Sequence, residues 1–479
     1  MDAFMNQERA PLVEGLLNHI NRGYATFHVP GHQGGRNIDQ LLRELLKEPF
    51  KVDLTELPQL DNLYEPQGII QESQELAAEL FGARETFFMV NGTTGGLLTM
   101  INTVCLPGDK IIIPRQSHQG VFGAIITSGA VPAYISTPGK TIQEQKIKNV
   151  SLKGVEEALA NNPDAKALLL NNPTYFGFCS DLAGIRELTA QKGVILLVDE
   201  AHGGHLFFHE NLPLGASQAG ADMWVQSTHK TLGSLTQSSM LHLGSDKIDR
   251  VRLVNMARIF QTTSPSYILL SSLDAARRKM AREGRSLIEK LYTMAKKARE
   301  DVTRLGFTLL PLEKGELRLD ITKLALFTDS FRESGRDIAY LLQRKYRVQV
   351  ELSAEDHVLI YLTLGHREKD VEYLVESLGK AREELTPQKP LEKKEEKGDS
   401  FFPLPPALLS PREAVNRPVE RVSLLEAEGR VSAETVSLFP PGIPLLVPGE
   451  LITGELLDSL SKGERRAFPS QIKVVKGNI

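Results

Sequence analysis

Short apolar runs alternate with amphipathic segments between about residues 70 and 245. The runs are FFMV at 87–90, KIII at 110–113, ALLL at 167–170 and VILLVD at 194–199. Apolar runs of this length, separated by helix-like segments, predict parallel strands joined by crossover helices. Gly82 stands where a left-handed helix cap is expected, and Asp181 suits the cap of the next predicted helix. The pattern therefore predicts an α/β domain.

The rest of the chain divides into further segments. The stretch 267–304 is rich in Leu, Ala and charged residues and predicts a long helix that leads into a smaller α/β unit. Prolines and mixed charges at 386–400 cannot form a core and predict an exposed linker. We expect an N-terminal arm over 1–65, a large domain over 66–265, a small α/β domain over 266–385, the linker, and a C-terminal module over 401–479.

Length and charge restrict the class of function. The chain has 479 residues, 41% of them hydrophobic, which is enough for two or three domains. Its net charge of -4 provides no positive field toward nucleic acid or anionic membranes. No segment has the apolar length of a membrane span, and the amino terminus lacks a signal-peptide pattern. A small charged metabolite is the expected partner.

The two cysteines, Cys105 and Cys179, are too few for a disulfide framework or a thiolate zinc site. They are typical of reduced thiols in a cytoplasmic protein. His28 and His32 in HVPGHQGG have a spacing that suggests a metal site. Pro30 and Gly31 prevent this pair from sharing one regular helical face, so we expect no metal.

Three residues near predicted strand ends indicate pyridoxal-phosphate chemistry. Lys230 closes the run STHK after the apolar strand MWVQ, where a lowered pKa would favour a Schiff base with the cofactor aldehyde. Asp199 ends the strand VILLVD, at the edge where parallel sheets bind ligands, and would keep the pyridine nitrogen protonated. His202 is placed to reach the phenolic oxygen of the same ring. The ordinary alternatives are a surface lysine and a helix-capping aspartate.

Two further segments suit the same cofactor. NGTTGG at 91–96 lies between a strand and a helix, where free amides and hydroxyls bind anions, although a flexible turn would have the same composition. His118 in RQSHQG is suited to stack on a cofactor ring, or to be a hydrogen-bonded loop histidine. The chain has no GxxxxGK[ST] phosphate loop and no GxGxxG between a strand and a helix, which disfavours nucleotide-driven chemistry.

Seven stretches, spread over nearly the whole chain, form one recognisable set of motifs: HVPGHQGG at 28–35, NGTTGG at 91–96, QSHQG at 116–120, VDEAHGGH at 198–205, STHKTLGSLTQSSMLH at 227–242, TTSPSY at 262–267 and PPGIPLLVPGE at 440–450. Together they resemble one family, the prokaryotic ornithine, lysine and arginine decarboxylases of the aspartate-aminotransferase fold. The resemblance implies a pyridoxal-phosphate-dependent transferase of fold type I. Its large α/β domain would have a mostly parallel seven-stranded sheet, beside a small α/β domain and a C-terminal α+β module.

The resemblance also implies roles for individual residues. Lys230 would be the Schiff-base lysine, Asp199 the partner of the pyridine nitrogen, His118 the ring-stacking group and His202 a neighbour of the phenolic oxygen. The phosphate ligands would be Thr93, Thr94, Ser227 and His229. Thr263 would reach the cofactor of a neighbouring subunit, which implies a homodimer with shared active sites. The chain is similar to the short form without the N-terminal wing domain, so higher ring-like assemblies are not expected.

The expected reaction is decarboxylation of a basic amino acid to a diamine or agmatine in polyamine metabolism. We expect arginine as the substrate ahead of lysine and ornithine, because short-form relatives are associated with arginine. The second cation of the substrate requires a carboxylate when it loses water, and Glu450 and Glu351 are the candidates. Either His229 or Lys230 would deliver the proton to the α-carbon.

Three other functions fit the same residues. An aminotransferase or an acyl-CoA-condensing synthase would use Asp199, His202 and Lys230 equally well, although PPGIPLLVPGE argues against both. A cofactor-binding regulator without turnover is the alternative from a different class. It would bind pyridoxal phosphate but release no carbon dioxide.

Overall fold

The computed structural model describes residues 5–23, 30, 35–36, 38–47, 49–57, 59–135, 150–310, 318–388, 404–438, 443–457 and 470–477. The motif HVPGHQGG, with His28 and His32, therefore lies almost entirely outside the described residues, as does most of the predicted linker. None of the described helices combines the length and the apolar character needed to cross a membrane.

Helices and strands alternate through the first half of the described chain. The helices are α1 (Pro11–Asn21), α2 (Gln40–Leu46), α3 (Ile69–Phe81), α4 (Gly92–Val104), α5 (Gln119–Ser128), α6 (Leu152–Asn161), α7 (Leu182–Lys192), α8 (Thr228–Thr231), α9 (Arg250–Phe260), α10 (Tyr267–Arg304), α11 (Gly335–Tyr346), α12 (Glu368–Glu384) and α13 (Pro411–Asn416). The strands of the large domain are β1 (Glu85–Met89), β2 (Lys110–Pro114), β3 (Val131–Ile135), β4 (Ala165–Asn171), β5 (Phe178–Cys179), β6 (Ile195–Asp199), β7 (Met223–Gln226) and β8 (Ser239–Leu243).

A sheet of seven strands forms the centre of the large domain, in the order β1-β8-β7-β6-β4-β2-β3. Strand β8 is antiparallel to both its neighbours, and the other pairs are parallel. The mostly parallel seven-stranded sheet is therefore confirmed. Strands β3 and β8 were not predicted, because β3 is an edge strand with an exposed first residue and β8 carries polar residues that are buried nonetheless.

Both faces of this sheet are covered by helices. Successive side chains of a strand point to opposite faces. Val225 therefore packs in the cluster that contains residues of α4, α5 and α9, whereas its neighbour Trp224 packs in the cluster that contains residues of α6 and α7. Two predicted helix ends are confirmed: Gly82 adopts a left-handed φ of 66°, and Asp181 accepts a hydrogen bond from the Gly184 amide at 3.1 Å.

The long predicted helix is also confirmed as α10, which leads from the large domain into the small one. The small-domain strands are β9 (Thr308–Leu309), β10 (Arg318–Leu319), β11 (Lys323–Phe327), β12 (Leu352–Ser353) and β13 (His357–Tyr361). Four of them form an antiparallel sheet in the order β12-β13-β11-β9. The fifth, β10, pairs with β5 and thereby ties the small domain to the loop after β4.

The terminal segments pack on this framework. Helix α1 contacts α3 and α10, and the Leu12 amide donates to buried Asp274 at 3.0 Å. The C-terminal strands are β14 (Val419–Ser423), β15 (Val436–Leu438), β16 (Ile443–Leu446) and β17 (Gln471–Val475). They form two antiparallel pairs, β14 with β17 and β15 with β16. Together with α13, they make an α+β module.

Candidate active site

A cavity of about 250 Å³ lies where strands β4, β6 and β7 end at their carboxyl termini. Parallel sheets bind ligands at this edge because the connections to the following helices diverge there. The lining residues are Gly92, Thr93, Thr94, Leu97, Gln116, His118, Asn171, Pro173, Thr174, Tyr175, Asp199, Ala201, His202, Ser227, His229 and Lys230. Eight of the predicted site residues therefore meet in one place.

Lys230 borders the cavity from the short helix α8, which begins directly after strand β7. Its amine lies 2.9 Å from Nε2 of His202. Partial removal from bulk water lowers the pKa of Lys230; Asp199 acts against this effect and Lys323 adds to it. An amine with a lowered pKa is more often neutral, which is the form that reacts with an aldehyde.

Asp199 ends β6 beside Asn171 of β4 and is buried. Its Oδ1 accepts a hydrogen bond from the Ala201 amide at 3.2 Å, and no basic side chain within the described part of the chain forms an ion pair with it. Burial raises the pKa of Asp199, while His118 and Lys230 act to lower it. A buried carboxylate without a cationic partner is costly, so this position favours a ligand that brings a positive charge.

His118 is the N-cap of α5, which fixes the orientation of its ring. Its Nδ1 accepts a hydrogen bond from the Gly120 amide at 3.0 Å. Because Nδ1 is an acceptor there, the proton of the neutral ring must be on Nε2. Burial lowers the pKa of His118 and favours this neutral form. A neutral ring held by this hydrogen bond at the cavity wall is suited to stacking.

Hydroxyl groups gather at the N-terminus of α4. Thr93 Oγ1 lies 2.6 Å from Ser227 Oγ and 2.9 Å from Ser239 Oγ, all in buried positions, whereas Thr94 is exposed at the cavity. The first amides of a helix have no partner within the helix, so this end carries a partial positive charge. The sequence NGTTGG therefore folds into an anion-binding end of the cavity.

His229 lies at the same end. Its Nδ1 is 2.8 Å from the carbonyl oxygen of Ser238 and must be the donor, because a carbonyl only accepts. Nε2 is therefore the nitrogen left to interact with a ligand. Burial lowers the pKa of His229, so that Nε2 is unprotonated without a bound anion. An anion bound there would favour the protonated ring.

These groups fit pyridoxal phosphate as a set. The cavity offers an amine in Lys230, a buried carboxylate without a cation in Asp199, and an anion site at α4. The three features match the aldehyde, the pyridine nitrogen and the phosphate of that cofactor.

A wider opening continues from the cavity toward the small domain, with Tyr175, His202 and Lys230 shared by both spaces. The Tyr175 hydroxyl donates to Glu351, which comes just before β12 and is exposed in this opening. The ring of Tyr175 is 5.2 Å from that of His202 and 5.6 Å from that of Tyr361. Aromatic rings therefore line the passage between Lys230 and the Glu351 carboxylate.

Two predicted residues line neither the cavity nor the wider opening of their own chain. Thr263 is exposed just before α10. Glu450 is buried instead beside Arg115, with 2.9 Å between its Oε2 and the guanidinium, and it also accepts from the Val447 amide. Of the two carboxylates predicted for the substrate cation, the structure brings only Glu351 near Lys230.

Several lining residues were missed by the sequence analysis. Asn171, Pro173, Thr174 and Tyr175 follow the predicted strand ALLL, so the rule that selected Asp199 would have found them. Tyr361 of the small domain had no comparable signal, because its approach depends on how two domains pack.

The fold and this cavity define the class of pyridoxal-phosphate-dependent α/β enzymes. Comparison with known proteins then gives the family. Residues 10–315 match the profile described as "Orn/Lys/Arg decarboxylase, major domain", and residues 398–469 match "Orn/Lys/Arg decarboxylase, C-terminal domain". The chain belongs to the Orn/Lys/Arg decarboxylase family, and this membership implies pyridoxal phosphate as the cofactor.

Individual relatives agree over nearly the whole chain. The arginine decarboxylase of Bacillus subtilis (strain 168) is 40% identical over 475 residues, covering 98% of this chain and 96% of that protein. The arginine decarboxylase of Halalkalibacterium halodurans is 38% identical, covering 97% and 95%. The crystal structure of the Francisella novicida lysine decarboxylase superposes with a TM-score of 0.83 at 21% identity, covering 98% of this chain and 81% of that one. The last likeness concerns the fold alone.

Proposed function

We propose that this chain catalyses the pyridoxal-phosphate-dependent decarboxylation of a basic amino acid, in polyamine metabolism. Arginine is the favoured substrate, giving agmatine, followed by lysine and ornithine, which would give diamines. The observation that carries the proposal is the meeting of Lys230, Asp199 and the anion-binding end of α4 at one cavity. The two relatives at 40% and 38% identity, both named arginine decarboxylases, support the choice of arginine.

Different lining residues of the cavity would hold different parts of the cofactor. Lys230 would bind the aldehyde carbon, Asp199 the pyridine nitrogen, and His118 the ring face, while His202 would lie near the phenolic oxygen. The phosphate ligands would be Thr93, Thr94, Ser227 and His229. When bound, pyridoxal phosphate supplies an electron sink that accepts the electron pair left when carbon dioxide departs.

The protein residues prepare the cavity for this chemistry. Asp199 would stabilise a positive charge on a bound ring, because its own burial makes an unpaired negative charge costly. The Lys230 amine, with its lowered pKa, is able to leave and return as a neutral nucleophile. Leu97 adds apolar surface that reduces contact with water.

We propose Lys230, rather than His229, as the group that returns a proton to the α-carbon. Lys230 stands between the cavity and the wider opening through which a substrate would extend. His229 is held by its hydrogen bond to Ser238 at the anion-binding end. Its Nε2 would be used by the phosphate there.

Glu351 is the proposed partner of the second cation of the substrate. It lies in the opening that Lys230 also borders, and the Tyr175 hydroxyl orients it through a hydrogen bond. A carboxylate held in this way offers its remaining lone pairs to a guanidinium or ammonium group. The aromatic rings of Tyr175 and Tyr361 would contact the methylene groups between the two ends of the substrate.

We further propose that the enzyme is a homodimer whose active sites are shared. Thr263 is exposed and does not line the cavity of its own chain. Both properties are expected of a residue that contributes to the active site of a partner subunit. Exposed apolar side chains on α2 and α9, including Leu41, Leu45 and Val251, supply surface that a second copy would cover. A cytoplasmic location stays a prediction that rests on the two free, buried cysteines.

The test is to incubate purified protein and pyridoxal phosphate separately with arginine, lysine and ornithine, and to measure carbon dioxide and the amine product. Arginine should give agmatine and equimolar carbon dioxide. Formation of a keto acid without carbon dioxide would favour the aminotransferase alternative, and cofactor binding without any product would favour the regulator.

Lys230→Ala should abolish turnover in this assay, and Lys297→Ala serves as its control because Lys297 is an exposed lysine far along α10. Sodium borohydride reduction of the wild-type holoenzyme, followed by peptide mass spectrometry, should place the cofactor on Lys230. A label on another lysine would overturn the assignment.

A further inference from the structure

The small domain has a buried lysine, Lys323, close to the proposed cofactor lysine, Lys230. Lys323 is the first residue of β11 in the small domain, and its side chain is only 3% exposed. Its amine lies 3.3 Å from the carbonyl oxygen of His202 and 5.3 Å from the centre of the Tyr361 ring. A buried lysine normally requires a specific role or partner, because loss of hydration is costly for a cation.

Asp320 provides the counter-charge for Lys323. Its Oδ2 is 3.3 Å from the Lys323 amine and 3.1 Å from Nε2 of His205, and its Oδ1 accepts from the Thr322 hydroxyl at 2.7 Å. Burial acts to raise the pKa of Asp320, but His205 and Lys323 outweigh it and hold that pKa below its usual range. The carboxylate is therefore charged, and it lies within ion-pair distance of the Lys323 amine.

The positive end of this pair faces Lys230. A small cavity of about 20 Å³ is lined by Lys323, Lys230, His202, His205 and Thr231, whereas Asp320 is not among its lining residues. Of the two charges, only Lys323 borders the same cavity as Lys230, and Coulomb energy falls with distance. Lys323 accordingly lowers the pKa of Lys230 and that of His202.

We propose that Lys323 is a positioning residue for Lys230, a fixed cation of the small domain that disfavours a positive charge on the Lys230 nitrogen and anchors the His202 backbone. This proposal rests on the proposed role of Lys230 as the cofactor lysine. It makes the reactivity of a large-domain amine depend on correct packing of the small domain.

Other charged and titratable groups also face Lys230 and must stay constant in a test. They come from the ends of β6 and β7, the loop before α5, the loop after β4, and the small domain: Asp199, His202, His229, His118, Tyr175, Glu351 and Tyr361. Asp199 and Glu351 oppose the effect of Lys323 on Lys230. A substitution at 323 leaves the identity of each of these residues unchanged.

The test follows the visible absorbance of the bound cofactor as a function of pH. The midpoint of this pH titration is the pH at which half of the bound cofactor is protonated at the nitrogen that Lys230 contributes. Lys323→Met removes the charge but keeps most of the side-chain length, and Lys297→Met on the exposed surface of α10 is the matched control. The midpoint of Lys323→Met should rise by about one pH unit, since removal of a nearby like charge favours the protonated form. The control should equal the wild type.

An unchanged or lowered midpoint in Lys323→Met would overturn the proposal. The double variant Lys323→Met with Asp320→Asn guards against misfolding, because it leaves no unpaired buried carboxylate. Its midpoint should also rise, by less than in the single variant, because the opposing charge of Asp320 is removed as well. If a folded variant binds no cofactor, the pH dependence of Lys230 labelling by trinitrobenzenesulfonate gives the midpoint instead. Borohydride reduction of the wild-type holoenzyme tests the cofactor lysine separately, so a failure there is distinguishable from a failure at Lys323.

Discussion

Arg115 and Glu450 form a buried ion pair, with 2.9 Å between the guanidinium and the carboxylate, that joins strand β2 to the C-terminal module. The Arg115 guanidinium also donates to the carbonyl oxygens of Pro444 and Leu445 at 2.8 and 3.1 Å. Because Gln116 and His118 lie within three residues of Arg115 in the sequence, this pair attaches the module close to two residues of the cavity wall. The segment PPGIPLLVPGE thus supports the cavity wall of its own chain through Arg115, without lining the cavity itself.

Removing one partner of this pair should destabilise the enzyme strongly. Glu450→Ala leaves the Arg115 charge buried without a counter-ion, which typically costs about 3–5 kcal/mol. Arg115→Met combined with Glu450→Leu should cost less than either single substitution, because no unpaired charge remains. Thermal unfolding monitored by circular dichroism would show this. Equal losses in the single and double variants would contradict the ion-pair explanation.

Asp199→Asn should retain bound cofactor but lose most of the rate. The amide keeps the Ala201 hydrogen bond at Oδ1 and removes the negative charge that stabilises a cationic ring. We expect turnover to fall by about 100-fold or more, as when other charge-stabilising groups are removed. The amount of bound cofactor is measured by absorbance, and the rate is measured by the release of carbon dioxide. Asp246→Asn, at an exposed position, should behave as the wild type, and near-normal turnover of Asp199→Asn would exclude the proposed role.

Glu351→Gln should weaken substrate binding more than it slows the reaction. Loss of a charge-assisted hydrogen bond costs about 1.5–3 kcal/mol, which corresponds to a rise in KM for arginine of about 10- to 140-fold. Glu355→Gln is the control, because Glu355 is an exposed glutamate nearby in the sequence. Steady-state kinetics with arginine, lysine and ornithine would show the change. An unaltered KM for every substrate would remove Glu351 from the site.

Complementation between two inactive variants should reveal whether the active sites are shared. Thr263→Asp would place a negative charge beside the phosphate of the neighbouring cofactor, and Lys230→Ala removes the cofactor lysine. If Thr263 serves the partner, a mixed dimer of the two contains one intact site. Random mixing should then restore about a quarter of wild-type activity after co-expression. Absence of recovery, or full activity of Thr263→Asp alone, would contradict the shared site.

The stability of the protein should fall as pH rises from about 4.5 to about 7 because of Glu200. Burial raises the pKa of Glu200 to about 7 from 4.5, although Gln226 and the Ala216 amide oppose it. The folded state then binds a proton that the unfolded state releases across this window. The stabilisation is complete below pH 4.5 and lost above pH 7, about 3 kcal/mol in all.

Glu200→Gln should flatten this pH dependence, because the amide does not titrate. The measurement is the urea midpoint at several pH values between 5 and 8, followed by the fluorescence of Trp224, the single tryptophan of the chain, which is buried. Glu187→Gln, at an exposed position of α7, is the control and should keep the wild-type slope. Identical slopes in all three proteins would show that Glu200 is not the responsible group.

The sequence by itself determined the sheet strands that carry the site and most of the cavity. Apolar runs predicted β1, β2, β4, β6 and β7, and parallel strands end at a common edge, so Asp199 and Lys230 had to approach each other. The motif NGTTGG and His118 followed from the same rule, since each comes just after a strand. The helix caps at Gly82 and Asp181 could be predicted from the sequence because capping depends on local backbone geometry.

Only the tertiary structure decided which distant residues join that edge. Glu351 and Glu450 were equivalent candidates in the sequence, yet one lies in the opening beside Lys230 and the other is paired with Arg115. Lys323 looked like any other lysine until the small domain placed it behind His202. These outcomes depend on how whole domains pack against one another. Contacts between residues about a hundred or more positions apart leave no periodic trace in the chain.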